Sequence, residues 1–156
     1  MNALIPTLAA TVALSVTAAG SPAEAEAGAE VTRGRFDTTQ AGQGRDFDIR
    51  GHAVMIRTDV EGGRTVVVSV ARGLEPNTTY GSHVHNAPCS TGGGGHYQHI
   101  VGGAVDDENE IWPTLHTNER GVAVATATHH HRARPDAQSI VIHDGDGARV
   151  ACLDLI

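Results

Sequence analysis

Beyond residue 50, apolar and polar positions alternate along the chain with a period of two. The segments GHAVMIRT (51–58), RTVVVSV (64–70), TYGSHVH (79–85), VAVATAT (122–128), SIVIH (139–143) and RVACLDL (149–155) each carry this pattern, which predicts strands with one buried and one outward face. Between them lie DVEGGR, GLEPNT, TNERG and DGDGA, glycine- and Asx-rich stretches that mark turns. No stretch of helical length shows a 3.6-residue period, and no repeat is found. The expectation is an all-β domain, a sandwich or flattened barrel, over residues 49–156. Residues 28–48 read as a first strand or an ordered arm.

A chain of 156 residues suits one domain. With 19 glycines and 3% aromatic residues, the core has to come from Val, Ile, Ala and Leu. Acidic residues number 18 against 11 basic ones, and every basic one is arginine. No basic stripe offers itself to nucleic acid or an anionic membrane. Residues 1–27 stand apart: Ala3 to Ala19 is nearly all Ala, Leu, Val and Thr and is followed by SPAEAEA. This reads as an export signal cleaved after Ala25 or Ala27, placing the mature chain outside the cytoplasm, secreted or in the periplasm or envelope. No Lys or Arg precedes the run. The alternative, an uncleaved anchor, is opposed by Pro6 and by a run barely long enough to span. Export permits a disulfide, and the only two cysteines, Cys89 and Cys152, form one expected bridge, stabilising by about 4 kcal/mol through the long loop that it closes.

The histidines carry the candidate chemistry. In GSHVHNAPC, His83 and His85 share one face of a strand, roughly 7 Å apart along it, while Val84 faces the other way. Such a pair can hold a metal if other ligands close over it, but it also suits a solvated strand. No glutamate follows at the spacing of a cupin-type site. A flexible STGGGG precedes His96 and His99 and lets a loop fold back over the strand face. His143 ends its strand and reads as a ligand or as a surface residue. The run His129 to His131 reads as a solvated loop, with copper capture as the alternative. His52 reads as structural, and the NTT at Asn77 supports no glycosylation claim.

The ordered set GLEPNTTYGSHVHNAPC, GGHYQ, SIVIHD and GARVACLDL resembles the copper/zinc superoxide dismutase family, especially its exported bacterial branch, over residues 50–156. The resemblance implies a Greek-key β-barrel of eight strands. His83, His85 and His143 then match copper ligands, and His96 matches the histidine that bridges copper and zinc. Cys89 and Cys152 match the intrasubunit disulfide, and Arg149 matches the arginine that attracts superoxide. The alternative for Arg149 is a surface pair with Asp144 or Asp146. The family's zinc site departs: VDDENEIWPTL supplies no histidine between His99 and His116, neither of which has the family spacing. The long loop expected between His143 and Arg149 is reduced to five residues, DGDGA. Together these features resemble the copper-only subgroup, with copper expected and zinc doubtful. In place of zinc a carboxylate has to orient His96, and Glu110 is the candidate, with Asp106, Asp107 and Glu108 as competitors in a run that otherwise reads as solvated loop. The implied activity is dismutation of superoxide at copper. The alternative is a copper-binding relative without turnover. The oligomeric state is not legible.

Overall fold

The computed structural model describes residues 28–156, and the export segment expected at 1–27 lies outside the described residues. Eight strands occur among these: β1 (Glu30–Thr38), β2 (Arg50–Thr58), β3 (Arg64–Arg72), β4 (Thr79–His85), β5 (Leu115–His116), β6 (Ala123–His129), β7 (Ser139–His143) and β8 (Arg149–Asp154). A single helical turn, α1 (Gln40–Gln43), follows β1, with the Thr39 side chain accepting from the Gly42 amide. The strands run in the order β5-β4-β7-β8-β1-β2-β3-β6, and every pairing is antiparallel. β3 leads across to β4 rather than to its neighbour β6, and β6 returns to β7, the crossings of a Greek key. Edge strands β5 and β6 lie against each other, so the barrel is nearly closed.

The segment read as a first strand or an arm is a full strand. Glu30 to Phe36 pair with β2 and Asp37 to Thr38 pair with β8, which makes β1 the corner at which the sheet turns. Alternation is strict on β3: Thr65, Val67, Ser69 and Ala71 are buried, while Val66, Val68 and Val70 face outward. The interior packs Phe36, Ile49, Met55, Val67, Val84, Tyr97, Ile111, Ile140, Ile142 and Leu153, all almost completely buried.

Alternation fails on β7, where Ser139 to Ile142 are all buried. A strand covered on both faces loses its polar face, and here the second cover is the loop after β4. Ser139 Oγ donates to the Ala87 carbonyl at 2.7 Å, and a Cβ on Gly93 would come within 2.9 Å of Val141. The disulfide between Cys89 and Cys152 ties that loop to β8 across 63 residues. The Cys89 amide also donates to the Asp154 carboxylate at 2.7 Å.

Candidate metal centre

Strand parity places the first two histidines. Ser82 and Val84 point into the barrel and are fully buried, so His83 and His85 project from the outer face of β4. Register sets His143 of β7 beside them, since Gly81 faces His143 and His83 faces Val141. The fourth histidine arrives on the loop. Gly92, Gly93 and Gly94 all have positive φ, a region costly for side-chain-bearing residues, and a Cβ on Gly94 would lie 2.5 Å from the Asn86 side chain. The turn these glycines permit is closed by the Asn86 amide donating to the Gly95 carbonyl at 3.0 Å. It brings the backbone of His96 into a bridge with His85.

His83, His85, His96 and His143 therefore form one cluster, with one nitrogen from each lying within 4.8 Å of the others. The ring of His96 lies 4.1 Å from His83 and 4.9 Å from His85 between centroids. The nitrogens left free face one another. His143 Nδ1 donates to the Gly147 carbonyl at 3.2 Å, and His96 Nδ1 donates to Glu110 Oε2 at 2.6 Å, leaving Nε2 free on both rings. His83 Nδ1 is buried with no partner. His85 Nε2 lies 3.2 Å from His143 Nε2. Two nitrogens each about 2.0–2.1 Å from a shared ion stand roughly 2.9–3.4 Å apart, so this spacing fits a common metal.

Electrostatics keep the lone pairs available. Burial, reinforced by repulsion from His96 and His143, pushes His83 down to about 4 and His85 down to about 3. His143 is lowered too, chiefly by burial, against a raising contribution from the Gly147 carbonyl. At neutral pH these rings are uncharged and fit to ligate. The four-histidine cluster can hold a metal ion.

Glu110 closes the far side of His96. It is 2% exposed, although it belongs to a run that reads as solvated. Its Oε2 accepts from both His96 Nδ1 and Trp112 Nε1, the latter at 2.9 Å, and its Oε1 accepts from Gln98 Nε2 at 3.1 Å. Burial alone would raise this carboxyl, but the hydrogen bonds from Trp112, His96 and Gln98 outweigh it and hold the group below its ordinary value. The competitors do other work: Asp106 Oδ1 accepts from the Asn109 amide, while Asp107 and Glu108 are exposed. Sequence reasoning missed Trp112 and Gln98, whose roles follow only from where Glu110 is buried.

Arg149 does not pair with Asp144 or Asp146. Its guanidinium donates to the carbonyls of Gly92 and Gly94, on the loop that carries His96, while remaining exposed. Asp144 instead pairs with Arg45 at 2.7 Å. The five-residue turn after His143 is self-capped, with Asp144 Oδ1 accepting from the amides of Asp146 and Ala148.

The remaining histidines lie apart from this centre. His116 is exposed on β5, its ring 3.0 Å from Thr79 Oγ1, and His52 is exposed on β2. Of the run read as a solvated loop, His130 and His131 are exposed in bends, but His129 corrects the reading. His129 ends β6 and is 3% exposed, because it continues the inward parity of Ala123 and Ala125. The rings of His99, His129 and His131 pack together. Comparison with models of known families and with curated proteins gives no match, so the chemistry rests on the residues themselves.

Proposed function

We propose that this chain is a copper-only relative of the copper/zinc superoxide dismutase family, acting outside the cytoplasm. The observation that carries the reading is the arrangement around His96. One ring nitrogen faces three other imidazoles, and a buried carboxylate occupies the side on which the family's second metal would sit. An all-imidazole donor set, in which His83 Nδ1 is buried and unpartnered and His85 Nε2 lies beside His143 Nε2, suits copper in both oxidation states.

Copper bound there supplies a one-electron couple, so that one superoxide is oxidised to oxygen and a second is reduced, with two protons, to hydrogen peroxide. The protein's part is positioning and charge. Glu110 fixes the tautomer and plane of His96, leaving Nε2 either to ligate or to hold a proton for the product. Arg149 places a fixed positive charge at the edge of the loop, which counts for more in a chain of formal net charge −7 approached by an anion. The disulfide, and the absence among described residues of any helix long and apolar enough to cross a membrane, are compatible with an exported protein.

The direct test is metal analysis with a superoxide assay on protein loaded with copper and freed of adventitious ions. The expected outcome is one copper at the four histidines and dismutation well above that of free copper at equal concentration. Full copper without turnover would instead identify a copper-binding protein of this fold.

A further inference from the structure

Outside this centre, a second group of imidazoles closes over the end of β6. His99 stacks on His131 with centroids 3.8 Å apart and planes 5° from parallel. His129 approaches them at 5.9 and 5.1 Å. Two of these spacings fall within the 4.1 to 6.5 Å of the four-histidine cluster and the stacked pair is closer, although among the described residues only that cluster already brings its nitrogens within 4.8 Å of one another.

Two rings of the group keep a buried nitrogen without a partner. His129 Nε2 donates to the Glu108 carbonyl at 2.6 Å, which leaves the lone pair on Nδ1, and that nitrogen is buried with no partner. One imidazole nitrogen held by a backbone carbonyl while the other stands bare is the usual way a metal-ligating histidine is oriented. His99 Nδ1 is likewise buried and unpartnered, whereas buried polar atoms ordinarily find a partner. Asp107 and Glu108 supply carboxylates beside His129, His130 and His131 around a surface pocket of about 490 Å³.

We infer that His99, His129 and His131 form a second site, one that captures a divalent transition-metal ion of the class imidazoles hold best, zinc or copper, with Asp107 or Glu108 adding an oxygen ligand. The parallel planes of His99 and His131 cannot both contain one ion, so the exposed His131 turns on capture, while the buried His129 stays fixed by the Glu108 carbonyl. The bound ion joins β6 to the segment that carries Glu110, since the His99 amide donates to the Asn109 carbonyl at 2.8 Å. This inference stands independently of which ion the four-histidine centre takes.

The test is a Zn(II) titration of the full chain in competition with a chromophoric chelator, for wild type, His131→Gln, His99→Gln and His143→Gln. His131 is exposed, so its variant keeps the fold. Wild type should bind a zinc equivalent that His131→Gln and His99→Gln each weaken at least tenfold and that His143→Gln leaves unchanged. Zinc should also shift the ring proton resonances of His129. Unaltered affinity in both His131→Gln and His99→Gln, or no zinc equivalent beyond the one lost in His143→Gln, overturns the second site. Failure of the copper reading shows up separately, in the copper loading and superoxide assay, while the zinc equivalent that depends on His99 and His131 persists.

Discussion

Replacing Glu110 by glutamine tests whether a carboxylate stands in for a second metal. The substitution is nearly isosteric, so packing around a side chain that is 2% exposed is kept and the effect is confined to hydrogen bonding. The carboxylate accepts from three donors, two on Oε2 and one on Oε1, whereas an amide has one oxygen. If that oxygen faces His96 and Trp112, the new amide nitrogen opposes the Gln98 amide, which cannot flip freely because its Oε1 accepts from the Gly102 amide at 2.9 Å. If the side chain turns over, His96 and Trp112 lose their acceptor. At least one buried donor is left unsatisfied in either case, costing about 1–3 kcal/mol, and the charge-assisted bond to His96 weakens by about 1 kcal/mol more. We expect Glu110→Gln to weaken copper binding by about 10- to 100-fold, the usual effect of removing a partner from a ligating histidine. The metal-free fold should lose about 2 kcal/mol. Trp112→Phe, which keeps a ring beside His83 and removes one donor, should weaken copper binding only a few-fold. Copper affinity is read by chelator competition and stability by denaturant unfolding. Wild-type copper affinity and turnover in Glu110→Gln would refute the idea that this carboxylate sets the orientation of His96.

Three further outcomes follow from the same geometry. Arg149→Ala should keep full copper, because a guanidinium is not a ligand and water can replace its bonds to the carbonyls of exposed Gly92 and half-buried Gly94. It should lower the superoxide rate about tenfold, with a weaker salt dependence than wild type; an unchanged rate and salt dependence would remove the anion-guiding role. The metal-free protein should lose stability as pH falls from about 6.5: His85 titrates at 6.5 when unfolded but is pushed down to about 3 in the fold, so the unfolded chain binds the proton first. By about pH 4 this residue alone should cost roughly 3 kcal/mol, and denaturant midpoints flat between pH 7 and 4 would contradict it. Cys89→Ser with Cys152→Ser should destabilise by about 4 kcal/mol on the chain-entropy model and also weaken copper binding, because the bridge anchors the loop bearing His96; thermal unfolding and chelator competition would detect the two effects.

What the sequence disclosed depended on whether a residue's neighbours in space were also its neighbours in pattern. β2, β3 and most of β6 are legible because each has one face in the core, and period two then marks every position. His83 and His85 inherit that legibility from Val84, whose burial fixes their outward direction. β5 has two residues, Leu115 and His116, too few for a period to exist. Glu110 is hidden differently. Its local pattern is an acidic run, and its burial is made by long-range closure: Asn109 donates to the carbonyls of Ile100 and Ala104, and the Glu110 amide returns to the Asp106 carbonyl at 2.8 Å. No alternation reports such a turn.

His129 is the instructive miss, because its signal was present. Ala123 and Ala125 are buried, Ala127 is half-buried, and His129 falls on the same parity. Ending the strand at residue 128 treated a histidine as a boundary, since an imidazole at an inward position contradicts an apolar face. A polar ring kept on the inward parity of a strand has to be matched by a partner. The structure supplies one to Nε2, through the Glu108 carbonyl, and none to Nδ1. The strand ends there, and the chain bends at His130 and His131, which leaves the His131 ring exposed and stacked on His99. A strand that ends on a buried histidine and then bends through exposed ones thus places one imidazole under cover and the next at the rim, the order in which a site would fix one ligand and leave another free to close.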